Sequence, residues 1–159
     1  MPNSPGIPIA LRSAYLALHR RSDARFGQYG ITADQFVLLA SLARGGDALT
    51  QRELARRMSS DPSTVRAMLV LLEERGLVER ATHRTDARAR TVSLTSKGSR
   101  LFRRLWTAGE PIRRRILTVL RPGEAETLVR LLERVSAALN SKGKAQTEAI
   151  QPLPYEIET

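Results

Sequence analysis

The hydrophobic period of the chain changes at one glycine, and that change limits what the chain can fold into. Up to Arg75-Gly76 the apolar residues fall at helical spacing. Beyond it, Leu77 to Ala81 and Thr91 to Thr95 read as two short strands joined by the arginine-rich segment THRTDARAR. Local signals divide the helical part. Thr32 and Gln35 form a capping box, in which the threonine oxygen accepts a backbone N–H and the glutamine reaches back. The helix it opens runs through Phe36, Val37, Leu39, Ala40 and Ala43 and stops at Gly45-Gly46. Thr50 and Glu53 repeat the box ahead of a short helix burying Leu54, Ala55 and Met58. Ser59-Ser60-Asp61-Pro62 is a stop and a restart, with Ser60 or Asp61 as cap and Pro62 at the first helical position. The next helix buries Val65, Met68, Leu69 and Leu72, an i, i+3, i+4, i+7 stripe.

Two short helices joined by a tight polar turn, followed by a hairpin with a basic tip, make a winged helix-turn-helix. The predicted fold class is mainly α, with a small β-hairpin wing and a helical dimerisation region. The buried stripe leaves Ser63, Thr64, Arg66, Ala67 and Val70 on the other face of the second helix. A helix of this length fits the major groove of B-DNA. Arg66 suits bidentate guanine contact, and Ser63 and Thr64 suit bases or phosphates. The hairpin tip carries His83, Arg84, Arg88 and Arg90 against Asp86 alone. An arginine on such a ribbon can enter a narrow minor groove, and Asp86 could hold the Arg88 guanidinium in place.

The rest of the chain is helical around this core. The reading assigns residues 1–8 to a flexible arm rich in proline and glycine. Residues 9–30 and 96–140 form the helical dimerisation region, 31–95 the winged domain, and 141–159 a flexible tail. Pro111 lies inside the long helical pattern after Thr95 and is expected to kink or break it.

Composition agrees with a polyanionic partner. The 159 residues carry a formal net charge of +10. Residues 41–100 hold half of that excess, with 12 basic and 7 acidic side chains. There are no cysteines, and the only histidines, His19 and His83, are far apart, so neither a thiol sensor nor a metal site is expected. No nucleophile–base pair or glycine-rich phosphate loop points to an enzyme, and no cofactor is expected. No apolar run reaches the length of a membrane span and no secretory signal is visible, so a cytoplasmic chain without a membrane partner is expected.

The segment LTQRELARRMSSDPSTVRAMLVLLEERGLVERATHRTDARARTVSLTSKG (49–98) resembles the DNA-binding core of multiple-antibiotic-resistance-type (MarR) regulators. The resemblance rests on Glu53-Leu54-Ala55, Ser63-Thr64-Val65, LLEERGLVER, the D-x-R of Asp86 and Arg88, and VSLTSKG (92–98). It extends in layout over roughly residues 9–140. It implies a homodimer that presents two winged helices to a pseudopalindromic site on double-stranded DNA. Ser63, Thr64 and Arg66 would then lie in the major groove and Arg88 in the minor groove, with Asp86 as its orienting partner; Arg84 and Arg90 of the basic hairpin tip are further candidate DNA contacts. It further implies a repressor released by a small aromatic or phenolic effector, which could be anionic. The effector would sit between the dimerisation helices and the winged domain, with Tyr15, His19, Phe36, Phe102 and Trp106 as candidate contacts. Peroxide-sensing and zinc-sensing branches do not fit, because their cysteines or clustered ligands are missing. The urate-responsive type is doubtful, because the single tryptophan, Trp106, is not on the first helix. The competing expectation is a non-specific architectural DNA-binding protein without an effector.

Overall fold

A computed structural model describes residues 6–45 and 48–141. The outer parts of the expected N-terminal arm and C-terminal tail, and Gly46, lie outside the described residues. The described chain falls into two compact units, divided between Arg121 and Pro122.

The first unit holds α1 (Gly6–Phe26), a single 3-10 turn (Gly27–Tyr29), α2 (Ala33–Arg44), β1 (Leu49–Thr50), α3 (Gln51–Arg57), α4 (Pro62–Glu74), β2 (Val78–Thr82), β3 (Arg90–Leu94), α5 (Ser96–Ala108) and α6 (Glu110–Thr118). Helix α1 starts three residues before the expected Ile9, so Gly6, Ile7 and Pro8 belong to the helix and not to an arm. Both capping boxes form. Thr32 accepts the Gln35 N–H while Gln35 accepts that of Thr32, and Thr50 and Glu53 exchange the same pair. Asp61, not Ser60, caps α4, with Pro62 in its first turn.

The hairpin has a third member. The sheet order is β1-β3-β2, all antiparallel, with Leu49 opposite Val92 and Val78 opposite Leu94. The expected two-stranded ribbon is thus corrected. Leu49 and Thr50 pair with β3 on their way into the Thr50 cap, which anchors the base of the wing beside α3.

One core joins these elements. Leu38 and Leu39 of α2, Leu54 of α3, Leu69 and Leu72 of α4 and Leu105 of α5 are fully buried. Each such side chain is worth roughly 1.5–3 kcal/mol relative to exposure. In α2 the core residues are Leu38, Leu39 and Leu42, whereas Val37, expected on the apolar path, is exposed.

The long helical pattern after Thr95 splits, and the joint is Gly109. It ends α5 and precedes α6, which carries Pro111 in its first turn. Proline offers no N–H to the preceding turn and its ring crowds that turn's carbonyl, so a new helix starts instead. Gly109 is also buried against Phe26: a Cβ there would lie 3.3 Å from the Phe26 ring and 3.1 Å from the Arg113 guanidinium.

Helix α5 begins at a shared fastening. The Thr95 hydroxyl donates to the Gly76 carbonyl (2.6 Å) and accepts the Gly98 N–H (3.0 Å), while the Thr95 N–H donates to the Leu77 carbonyl (3.1 Å). Thr95→Ala is expected to cost about 1 kcal/mol, the usual worth of an N-cap, and Thr95→Ser much less. Chemical denaturation midpoints check this, and equal losses for the two variants would refute the hydroxyl's role.

The second unit contains α7 (Glu124–Asn140), preceded by Gly123 in the left-handed region at φ 82°. Leu128, Val129, Leu131, Leu132, Val135 and Leu139 on this helix all remain exposed in the single chain.

Candidate nucleic-acid interface

Helix α4 has two chemically distinct faces. Val65, Leu69 and Leu72 are buried, Met68 is half-buried, and Ser63, Thr64, Arg66, Ala67 and Val70 are exposed. The i, i+3, i+4, i+7 stripe is spent on the core, so the opposite face is left to polar and small residues. Arg66 makes no ion pair with any described residue. At the helix start, one oxygen of Asp61 accepts the backbone N–H groups of Ser63 and Thr64, both at 3.1 Å. The same oxygen accepts the Ser63 and Thr64 hydroxyls, the latter at 3.4 Å. The Ser63 hydroxyl bond, the backbone bonds and that of the Thr64 hydroxyl hold the Asp61 carboxyl below its usual range.

The other end of α4 is fastened from three sides. The Arg75 guanidinium donates to the carbonyls of Gly30 (2.5 Å) and Tyr29 (3.1 Å), and Lys97 donates to the Arg75 carbonyl (2.7 Å). Glu73 accepts from Arg80 of β2, at 2.8 Å from Nε and again from the terminal nitrogen, which ties the helix to the wing. Sequence reasoning missed Arg75, Arg80 and Lys97 as positioning residues, because their partners lie on other elements and leave no local signature.

The Arg80 bonds lower the Glu73 pKa and raise that of Arg80. A carboxylate depressed in the folded state contributes stability above its unfolded pKa, and that contribution is lost as pH falls through the folded value. The difference in melting temperature between the unchanged chain and Glu73→Gln is therefore expected to shrink as pH is lowered from about 4.5, the ordinary glutamate value. A difference that stays constant down to pH ~3 in a circular-dichroism titration would refute this assignment.

The wing tip is a closed loop. The His83 N–H donates to the Ala89 carbonyl (2.9 Å) and the Ala89 N–H to the Asp86 carbonyl (3.0 Å). Asp86 Oδ1 accepts the backbone N–H of Arg88 at 3.0 Å. In this structure Asp86 holds the backbone of Arg88 and not its guanidinium. Its short side chain reaches the amide two residues on and shapes the turn, and no ion pair with Arg88 is present among the described residues. Arg84 and Arg88 are exposed in the loop, whereas Arg90 opens β3 opposite Thr82, in the strand pair next to that loop. Its charge reaches Glu73 there.

The candidate effector contacts divide between two places. Tyr15 and His19 lie together on α1, ring centroids 5.4 Å apart. His19 bridges Asp23 (3.1 Å) and Asp34 of α2 (3.6 Å), and Asp23 also accepts the Ala33 N–H (2.7 Å). His19 lines an open groove of about 550 Å³ whose walls include Asp34, Thr64, Met68 and Leu71. Phe36, Phe102 and Trp106 instead belong to a ladder of rings. Phe26 stacks on Phe36 at 4.3 Å, Phe36 on Phe102 at 5.9 Å, and Phe102 meets Trp106 at 6.1 Å. The Arg113 guanidinium covers Trp106 at 3.9 Å. This ladder joins α1, α2 and α5.

Known proteins share this arrangement. Residues 29–89 match the model of the MarR family. The chain is 27% identical over 138 residues to the HTH-type transcriptional repressor MdtR of Bacillus subtilis (strain 168), covering 87% of this chain and 88% of that one. The structure concerned with regulation of DNA binding of Bordetella bronchiseptica BpsR by 6-hydroxynicotinic acid superposes with a TM-score of 0.74 at 27% identity, covering 86% of this chain and 96% of that chain. S. aureus MepR in its DNA-binding conformation gives a TM-score of 0.75 over 83% of this chain and 97% of that one; at 24% identity it speaks for the fold alone. Family match, relatives and the helix-plus-wing geometry agree: residues 29–89 carry a MarR-family winged helix-turn-helix, and the chain as a whole is similar to transcriptional regulators of that family.

Proposed function

We propose that the chain is a ligand-responsive repressor that binds a pseudopalindromic operator as a homodimer. The observation that carries the reading is the exposure of Ser63, Thr64 and Arg66 on one face of α4, together with a wing tip presenting Arg84 and Arg88. Among the described residues, no acidic side chain pairs with these three arginines. Their charge is left for phosphates and base edges. The repressor assignment draws on MdtR. Dimerisation is supported by the apolar residues left exposed in the single chain: Leu128, Leu131 and Leu132 on α7, and Ile7, Ile9 and Leu18 on α1. A twofold protein reads a twofold site.

For the effector, the groove beside His19 is favoured over the ring ladder. Met68 and Leu71 of α4 form part of its wall, so a ligand there touches the reading helix itself. The acidic groups on the wall are Asp23 and Asp34, beside the His19 ring, with no arginine or lysine. That suits a neutral aromatic or phenolic compound better than a bare anion. Such a ligand releases DNA only by binding the non-binding conformation more tightly.

Fluorescence anisotropy on duplex DNA from upstream of the chain's own gene tests the reading. A dimeric complex is expected, tighter than on scrambled DNA by at least about a thousandfold at physiological salt. Equal affinity for both duplexes, with the same salt slope, would make the chain a non-specific architectural binder instead.

A further inference from the structure

Four donors converge on one oxygen of Asp61: the N–H groups of Ser63 and Thr64 and both of their hydroxyls. An ionised carboxylate can only accept hydrogen bonds, so both hydroxyl protons point at Asp61. Each hydroxyl then faces outward with lone pairs and no proton. The hydrogen bonds that create this arrangement also keep Asp61 ionised well below neutral pH.

This constrains what the start of the helix can read. In the major groove, guanine offers the acceptors N7 and O6, and thymine offers O4. Cytosine offers only its N4 amino donor, and adenine its N6 amino donor beside N7. A hydroxyl whose proton is held inward can accept from an amino group but cannot donate to N7, O6 or O4. It cannot donate to a phosphate either, and the Asp61 charge opposes a phosphate at that helix end. We propose that Asp61 is a specificity-determining positioning residue that fixes Ser63 and Thr64 as acceptors, selecting base amino groups. Arg66, which can only donate, then reads base acceptors further along the same helix. The proposal rests on the sequence-specific DNA reading above.

Atom-deleted duplexes test it. A preferred site is first selected from a random library with the full chain. The base pairs read by the hydroxyls are those at which Ser63→Ala or Thr64→Val loses discrimination. At these pairs, replacing cytosine by 2-pyrimidinone or adenine by purine removes only the amino group, and 7-deazaguanine or 7-deazaadenine removes only N7. Loss of the amino group is expected to weaken binding of the unchanged chain about tenfold, and loss of N7 to leave it unchanged. Asp61→Gly retains most of the helix cap's stability, since glycine is itself a fair N-cap. It frees both hydroxyl protons, so its sensitivity to amino deletion is expected to fall to about twofold or less. Melting curves show whether this variant remains folded, and the two hydroxyl variants test the proposal independently of it. N7 sensitivity without amino sensitivity, an unchanged amino effect in folded Asp61→Gly, or no base pair affected by either hydroxyl variant would each overturn the proposal. If no sequence is enriched at all, the sequence-specific reading itself fails, an outcome distinct from these.

Discussion

Replacing Gly98 by alanine is expected to cost about 3 kcal/mol, the upper end of the usual range for overpacking, and to lower the melting temperature by roughly 10 °C. Gly98 is buried in the first turn of α5, where that turn rests on the carbonyl of Leu77. A Cβ at this position would lie 1.9 Å from the Leu77 oxygen and 2.9 Å from its carbon. Both are backbone atoms, so no rotamer change relieves the clash. Alanine's better helix propensity, worth about 1 kcal/mol, offsets only part of the loss. The displaced segment carries the Thr95 cap and the bond from Thr95 to Gly76, so the damage reaches the junction between α4 and the wing. Equilibrium urea unfolding of Gly98→Ala and Gly98→Ser measures the effect. A loss under 1 kcal/mol in the alanine variant would show that α5 can slide off Leu77 at little cost.

The second large effect concerns binding. Arg66→Ala is expected to weaken the preferred duplex by 1–3 kcal/mol, roughly 5- to 150-fold, and to relax base preference at one position. Arg88→Ala is expected to weaken all duplexes by similar factors and to reduce the slope of log affinity against log salt by about one. The contrast follows from position. Arg66 projects from the exposed face of α4, while Arg88 sits in the wing loop on a turn shaped by Asp86. Anisotropy titrations on selected and scrambled duplexes at several salt concentrations separate the two. If Arg66→Ala lowers affinity equally for every sequence, Arg66 is a phosphate contact and not a base reader.

The parts of the fold that could be read from the sequence are those whose causes are local. Thr32 with Gln35, Thr50 with Glu53, and Asp61 with Pro62 each carry their partners within a few residues, so three helix starts were legible. The glycine stop at Gly76 was legible because its φ of 67° is one that other residues rarely adopt. Strand β1 was not, because two residues acquire strand character only by pairing with β3, far along the chain. The wing strands came out one residue from their expected limits for a related reason, since their ends are set by cross-strand bonds. Pro111 announced a break, but the joint at Gly109 depends on Phe26 and Arg113 packing against it. Among the candidate site residues, the exposed face of α4 followed from periodicity alone. The division of Tyr15 and His19 from Phe36, Phe102 and Trp106 did not, because it depends on how α1, α2 and α5 pack together.

The fastening of α4 at Arg75 has a mechanical consequence. One end of this 13-residue helix is held by Tyr29, Gly30 and Lys97, while its start is held by its own cap and by the buried Val65. At 1.5 Å per residue the helix is a lever about 20 Å long with its fulcrum at the C-terminal end. A tilt of about 5° displaces Ser63 by about 1.6 Å, but Leu71, one turn from the fulcrum, by only about half an ångström. Displacements near the fulcrum are therefore amplified where the base contacts would be made. Loosening the Arg75 clamp would remove that leverage without altering any residue on the reading face.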